Sequence, residues 1–337
     1  MSTATEILSG AHAGDADVPE EEHLEQARLE REYRALLERL SRQSVVKHFD
    51  AYADIAWDDP EMRVDPNDPR WELSADEPLA ATVWYRSRPA AVRSAIGLHM
   101  IATFAKIGLQ FESVLKRGLL EFAETLPNGS PEFRYVYHEV IEEAQHSLMF
   151  QELVNRTGFD IPGMPTWMRF GARQVVRLGR SFPELFFVFV LGGEDPIDHI
   201  QRVMLRQRET MHPLLRRVSQ IHVTEEARHL SFARHYLRRN VPRLGAIKRF
   251  LLRLRTPLIL GQMSRLMMQP SRQIVAKYGI PRAVIDEAYR RNPAHRRRKI
   301  EALAKVRALC EETGIADTLF VPLWRAFGLW PETAITR

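Results

Sequence analysis

The sequence has little cysteine and no long hydrophobic run. Its single thiol, Cys310, excludes a disulfide framework and a thiolate zinc site, and this cysteine usage is typical of a reducing cytoplasm. The longest apolar run, LFFVFVLGG at 185–193, is too short to span a bilayer. The N-terminus lacks the basic and apolar regions of a secretory signal. The sequence therefore predicts a soluble, cytoplasmic protein.

Strand signals are also nearly absent, and long amphipathic patterns dominate after residue 88. Prolines and glycines at 127–131, at 158–166 and at His212-Pro213 mark the predicted breaks between helices. The pattern predicts an all-α protein built round a bundle of four long helices. The predicted helices are 21–44, 89–125, 131–157, 181–210, 212–239, 245–268, 282–290 and 293–313.

Composition divides the chain into four predicted segments. Residues 1–20 are small, polar and acidic, which is typical of a disordered tail. Residues 21–88 are predicted to form an N-terminal helix and an irregular cap, because the segment DDPEMRVDPNDPRWELSADEP has four prolines and no period. We expect the four-helix bundle at 89–240, and a basic helical extension packed on the same domain at 241–337.

Charge is distributed unevenly behind the net value of +5. Residues 1–150 carry 15 basic and 27 acidic side chains, whereas residues 151–337 carry 33 and 16. Residues 227–285 carry 13 basic side chains and no acidic one. Such a segment either attracts an acidic partner or pairs with the acidic first half of the chain. No nucleic-acid motif accompanies it, so we predict no nucleic-acid partner.

One pentapeptide pattern occurs twice, as EEAQH at 142–146 and as EEARH at 225–229. On an α-helix, residues three positions apart project from one face. Each copy therefore presents a Glu-x-x-His pair, Glu143 with His146 and Glu226 with His229. Two such pairs, with one further glutamate from each of two other helices, are the ligand set of di-iron and di-manganese carboxylate proteins.

Two single glutamates on apolar helices complete the set, Glu112 in KIGLQFESVLKRG and Glu194 in FFVFVLGGEDPID. A third histidine, His222, lies four residues before Glu226 and so shares its face. The sequence therefore predicts seven metal ligands on four successive helices: Glu112, Glu143, His146, Glu194, His222, Glu226 and His229. Mixed carboxylate and imidazole ligands favour iron or manganese over copper or zinc.

The leading glutamates of the two pentapeptides, Glu142 and Glu225, point about 100° away from the ligands beside them. They either hydrogen-bond the outer nitrogen of a ligand histidine on the neighbouring helix or face solvent. His138 and His199 are each five residues from a ligand glutamate, off its face. We predict that neither binds metal.

The ligand series, with its extra histidine, resembles that of the non-haem di-iron arylamine N-oxygenases, the AurF-like aminobenzoate oxygenases. The resemblance covers roughly residues 85–240. It implies a ferritin-like core, two iron ions (Fe2+/Fe3+), often a homodimer, and oxidation of an aromatic amine through hydroxylamine towards nitro by a peroxo-di-iron species. It also implies that Glu143 and Glu226 bridge the metals and that His222 is the supplementary ligand. These three are the predicted catalytic residues.

One residue that contacts the substrate in that family differs in this sequence. Aminobenzoate-type members carry an arginine five residues before the first glutamate, and this position is Ile107 here. We therefore expect a less polar or carrier-bound amine. The other predicted partners are O2, an external electron donor, a second copy of the chain, and an acidic carrier protein at residues 227–285. A manganese pair or a mixed manganese–iron pair stays open beside the iron pair.

Two other functions stay open on the sequence. An acyl-carrier-protein desaturase, or another di-iron acyl oxidase or hydroxylase, uses the same paired motifs, although a six-ligand set does not require His222. A non-enzymatic metal-binding protein is the other alternative. The long segments outside the bundle favour a covered, substrate-selective site instead.

Overall fold

The computed structural model describes residues 20–206 and 209–331, and no β-strand occurs in these two ranges. The predicted N-terminal tail lies outside the described residues apart from Glu20, which begins the first helix. The helices are α1 Glu20–Val46, α2 Val83–Arg86, α3 Ala90–Ala123, α4 Pro131–Thr157, α5 Thr166–Ser181, α6 Pro183–Arg206, α7 Pro213–Asn240, α8 Ala246–Met267, α9 Arg272–Lys277, α10 Arg282–Ile285, α11 Pro293–Ala302, α12 Ala304–Glu312 and α13 Val321–Ala326.

Helices α3, α4, α6 and α7 form the central bundle, and both sequential pairs are antiparallel. The Lys116 ammonium on α3 donates to the backbone oxygen of Glu143 on α4 at 2.9 Å. In the second pair, Arg202 on α6 donates to the backbone oxygen of Val223 on α7 at 2.8 Å. Helix α1 packs on α4 and α7, α5 packs on α3 and α6, and α8 packs on α6. The predicted bundle of four long helices is present.

Helix α5 was missed by the sequence prediction, which placed only a break at 158–166. The break exists, but a 16-residue helix follows it before α6 begins. Two internal glycines lower the helix propensity of this segment. The short helices α9 and α13 were missed as well. The predicted helix 293–313 is two helices, α11 and α12, separated at Leu303.

Glycines allow α5 to lie directly against α3. A Cβ on Gly179 would stand 2.0 Å from the backbone oxygen of Gly118, and a Cβ on Gly118 would stand 2.2 Å from the ring of Phe186. No side chain fits at such separations, so the two backbones and the Phe186 ring pack without a spacer. Gly171, on the same helix α5, has no neighbour within 4 Å of an added Cβ.

The irregular segment between α1 and α3 covers one end of the bundle. Trp71 is buried, its ring stacks on His212 at 4.1 Å between centroids, and Tyr85 donates to the backbone oxygen of Arg93. A Cβ on Gly97 would stand 1.8 Å from the Trp71 oxygen, so the segment lies directly on the backbone of α3. This segment, for which an irregular cap was predicted, contains α2 and the short 3-10 helices Pro60–Met62 and Pro69–Trp71.

The other end of the bundle is filled by aromatic rings. Phe187 packs edge to face on Phe122 and Phe232, each at 5.3 Å between centroids, and lies 4.5 Å from Tyr236. Such pairs add to the energy of burying the rings. Among the described helices, α3 alone is long and apolar enough to cross a membrane, judged by length and composition. A core helix passes the same test, and α3 packs against α4, α5 and α6.

We expect Gly179→Ala to lower the melting temperature, because the new methyl group would collide with the Gly118 backbone and force α5 away from α3. Overpacking of this kind costs about 1–3 kcal/mol. Gly171→Ala is the matched control on the same helix. It should raise stability by roughly 0.5–1 kcal/mol, since alanine is the better helix former and the site is open. Calorimetry of both variants tests the contact, and equal effects of the two substitutions would contradict it.

Candidate dimetal site

The structure brings all seven predicted ligand residues together at the centre of the bundle. Each of them is at most 1% exposed. Glu112 lies on α3, one Glu-x-x-His pair on α4, Glu194 on α6, and the other pair with His222 on α7. Periodicity explains the convergence, because an i, i+3 spacing stacks the members of each pair on the inward face of one helix.

The two histidines of the pentapeptides present the same ring nitrogen to the centre. His229 Nδ1 lies 3.0 Å from a carboxylate oxygen of Glu143 and 3.1 Å from one of Glu226. His146 Nδ1 lies 3.5 Å from a carboxylate oxygen of each of the same two glutamates. Glu143 and Glu226 therefore stand between the two histidines.

His222 joins the other side of the cluster through its Nε2 atom. This nitrogen lies 3.7 Å from an oxygen of Glu112 and 3.7 Å from an oxygen of Glu226. Glu112, His146 and His222 each offer one ligand atom, and these three atoms lie within 4.8 Å of one another. The same is true of one ligand atom each from Glu194, His222 and Glu226. Burial, together with the neighbouring His146, holds the pKa of His222 well below its usual range. A neutral imidazole is the form that binds metal.

The polar atoms at the centre fit a pair of cations. Both carboxylate oxygens of Glu143, one each of Glu194 and Glu226, and Nδ1 of His146 are buried without a hydrogen-bond partner among the described residues. Burial, reinforced by the charges of neighbouring glutamates, raises the pKa of Glu112 and Glu194 well above their usual range. Unpaired buried carboxylates are costly, and cations relieve that cost. The donor set of oxygen and nitrogen suits iron or manganese.

The leading glutamates of the pentapeptides hold the outer nitrogens of the ligand histidines across the α4–α7 interface. His146 Nε2 donates to Glu225 at 2.9 Å, and His229 Nε2 donates to Glu142 at 2.8 Å. Arg228, buried to 6% exposure, donates to Glu142 at 2.7 Å and to Glu225 at 3.4 Å. The sequence left two roles open for these glutamates, a hydrogen bond to a histidine or exposure to solvent, and the structure shows the hydrogen bond. The bridging arginine was not predicted, although it lies within EEARH.

Other contacts that hold the ligands come from residues the sequence prediction missed. His222 Nδ1 donates to the side-chain oxygen of Gln201 on α6 at 2.8 Å, which turns Nε2 towards the centre. Ser147 donates to Glu112 at 3.0 Å, and Lys116 in turn donates to Ser147. No spacing rule points to Gln201, because its contact with His222 joins two helices.

Glu139 is a further buried carboxylate that the sequence prediction missed. It is 0% exposed, and both its oxygens lack a hydrogen-bond partner among the described residues. One of its oxygens lies within 4.8 Å of ligand atoms of Glu143 and His229. A signal was available, because Glu139 lies four residues before Glu143 and shares its helix face. His138 and His199 are partly exposed and lie outside the groups of ligand atoms described above.

Comparison with known proteins places this arrangement in a family. A family model described as P-aminobenzoate N-oxygenase AurF matches residues 30–314, a range that includes all seven predicted ligands. The uncharacterized proteins Mb0909 of Mycobacterium bovis and Rv0885 of Mycobacterium tuberculosis are each 42% identical to the chain over 294 residues, covering 87% of this chain and 86% of theirs. No solved structure matches the chain significantly.

The metal-free protein should gain stability from Glu139→Gln at pH 8. Burial raises the pKa of Glu139 to about 8, above its ordinary value, so folding disfavours its charge. The cost is absent below pH 4.5, grows as pH rises, and is complete above pH 8. We expect a melting temperature higher than that of the wild type by roughly 5 °C at pH 8 and nearly equal at pH 5, measured after chelation of metal.

Glu142→Gln is the matched control and should have the opposite sign. Burial alone would raise the pKa of Glu142, but hydrogen bonds from His229 and Arg228 lower it to about 2. Its charge therefore stabilises the fold above pH 4.5, and this stabilisation is lost as pH falls towards 2. A Glu139→Gln protein that melts as early as Glu142→Gln at pH 8 would show that Glu139 is ionised and paired.

Proposed function

The chain belongs to the AurF family of the di-iron, ferritin-like superfamily, and from this premise we propose that it is an O2-activating di-iron oxygenase that N-oxygenates an amine. The all-α, ferritin-like fold predicted from the sequence is confirmed. The observation that carries the proposal is the convergence of four glutamates and three histidines in a site closed to water. Two iron ions held there would supply the activation of O2.

The proposed roles of the residues follow from their places. Glu143 and Glu226 stand between His146 and His229 and are the carboxylates we assign to both ions. His222 contributes Nε2 as the supplementary ligand, in the orientation that Gln201 fixes. The hydrogen bonds at the outer ring nitrogens fix the tautomer of each histidine and make it a better ligand.

The amine reaches the site through a cavity of about 960 Å³ beside it. Ile107 and Gly108, one turn before Glu112, line this cavity, as does Gln201, which holds His222. Many of its lining side chains are apolar, which suits the hydrocarbon part of an amine substrate. No charged side chain stands at position 107, so the part of the substrate beside α3 need not be anionic.

A di-iron acyl oxidase is the second candidate, and the elongated apolar cavity is the observation that favours it. His222, which joins the ligand cluster, favours the N-oxygenase.

The electron donor, the dimer, the cytoplasmic location and an acidic carrier partner stay proposals. At least seven of the 13 basic side chains at 227–285 pair with acids of this chain, namely Arg228, Arg234, Arg238, Arg239, Arg243, Arg253 and Arg282. The carrier proposal thus has few free charges left to support it.

Metal content is the first test. We expect about two irons per chain in the wild-type protein expressed with iron supplied, since this ligand set is that of two-metal carboxylate proteins. Glu226→Ala should lose both, because we assign its carboxylate to both ions. Glu311→Ala, at an exposed position on α12, should keep them. Circular dichroism has to show that every variant is folded. A folded wild-type chain without stoichiometric metal would contradict the oxygenase proposal.

Product analysis separates the two candidate reactions. The iron-loaded, reduced protein is given O2 with an arylamine or with an acyl thioester, and products are identified by mass spectrometry. A hydroxylamine or nitro product that disappears in Glu226→Ala and persists in Glu311→Ala supports N-oxygenation. A desaturated or hydroxylated acyl chain, with every arylamine returned unchanged, would instead support the acyl oxidase.

A further inference from the structure

The cavity beside the dimetal site is long in comparison with a single aromatic ring. It is lined along α3 from Gly97 to Gly108, a rise of about 16 Å at 1.5 Å per residue. Its volume of about 960 Å³ is near the upper end of the range for small-molecule pockets. An aminobenzoate, which is one ring with two small substituents, would fill less than half of this length.

The walls near the site are apolar and carry two hydroxyl groups without partners. Apolar side chains lining the cavity include Met100, Phe104, Ile197, Ile200, Met204 and Leu215. Between them stand Thr103, 9% exposed, and Ser219, 1% exposed, whose hydroxyls have no hydrogen-bond partner among the described residues. A buried hydroxyl left unpaired costs about 1–3 kcal/mol, so these groups suit a neutral polar atom of a ligand.

Most of the charged side chains that line the cavity are already paired. Arg70 pairs with Asp68, and Arg298 pairs with Glu77. The remaining lining carboxylate, Glu72, pairs with Arg93.

Two lining arginines remain, Arg265 near the end of α8 and Arg272 at the start of α9. Both are exposed, and neither has an acidic partner among the described residues. The net unpaired charge on the cavity lining is therefore two exposed guanidinium groups. Guanidinium is the side chain best suited to a carboxylate or a phosphate.

We propose that the substrate is an elongated small-molecule amine with an apolar body and an anionic group. Its amine lies against the ligands near Gln201, its body lies along α3, and its anion binds Arg265 and Arg272. Thr103 and Ser219 contact a neutral polar atom of the body. This inference rests on the proposed function for the identity of the reacting group, and on the cavity alone for the length and the anion.

A series of aminophenyl acids tests the length and the charge separately. Aminobenzoate, aminophenylbutanoate and aminophenyloctanoate, together with the amide of the octanoate, are titrated calorimetrically into the iron-loaded protein without O2. We expect affinity to rise along the acids. The octanoate should bind about tenfold more tightly than its amide, as one charge-assisted contact allows.

Substitutions test the two arginines. Arg265→Gln and Arg272→Gln should each remove most of the preference for the acid over the amide, and should raise KM for the octanoate with little change in kcat. Arg255→Gln is the matched control, because Arg255 is exposed on the same helix as Arg265 and does not line the cavity. It should bind the whole series as the wild type does.

The outcomes separate this inference from the function on which it rests. Equal binding of acid and amide by the wild type, or equal behaviour of all three arginine variants, would overturn the anion site. Affinity that does not increase with length would overturn the elongated substrate, and binding of carrier-borne amines alone would overturn the free small molecule. The expected binding pattern with no amine oxidised would support the anion site and sink the N-oxygenase.

Discussion

Burial of carboxylate charge is the constraint on which the rest of this structure depends. Five glutamates meet in the middle of the bundle, each at most 1% exposed: Glu112, Glu139, Glu143, Glu194 and Glu226. Taking an ionised carboxylate out of water costs several kcal/mol unless opposite charge and hydrogen bonds offset it. The bundle therefore holds histidines between the carboxylates, and a pair of cations would supply the remaining positive charge. The negative charge of the glutamates just outside this cluster is also neutralised, since Arg228 lies between Glu142 and Glu225.

Convergence of these groups requires the helices to approach closely at the level of the ligands. Gly193 precedes Glu194 on α6, and a Cβ there would stand 2.1 Å from the ring of Phe111, the residue before Glu112 on α3. The absence of that side chain lets two ligand helices meet. Glu112 also divides α3 into two halves, with the cavity along Gly97–Gly108 and the aromatic core beyond it. The cavity thus lies at the end of the bundle that the irregular segment covers, whereas the other end is filled by aromatic packing.

How much of this could be predicted from the sequence depended on whether a contact lies along one helix or between two. The i, i+3 and i, i+4 spacings grouped five of the seven predicted ligands, because helix periodicity alone decides which side chains share a face. Glu112 and Glu194 were predicted instead as single glutamates on apolar helices. Glu139 obeys the same rule and was overlooked because it is outside the repeated pentapeptide. Gln201 and Ser147 were out of reach, since their contacts with His222 and Glu112 depend on how neighbouring helices align.

The basic segment 227–285 shows the same limit of sequence-based prediction. The segment 227–285, with 13 basic side chains and no acidic one, has the composition of a docking surface for an acidic partner. The fold pairs at least seven of these side chains with acids of the same chain, and Arg239 and Arg243 share the carboxylate of Glu30. A run of like charge in a sequence therefore gives the charge of that segment alone. The electrostatic field that remains at the surface depends on which of its side chains the tertiary structure pairs with acids. The unpaired charges of this segment include Arg265 and Arg272, which line the cavity beside the buried cluster.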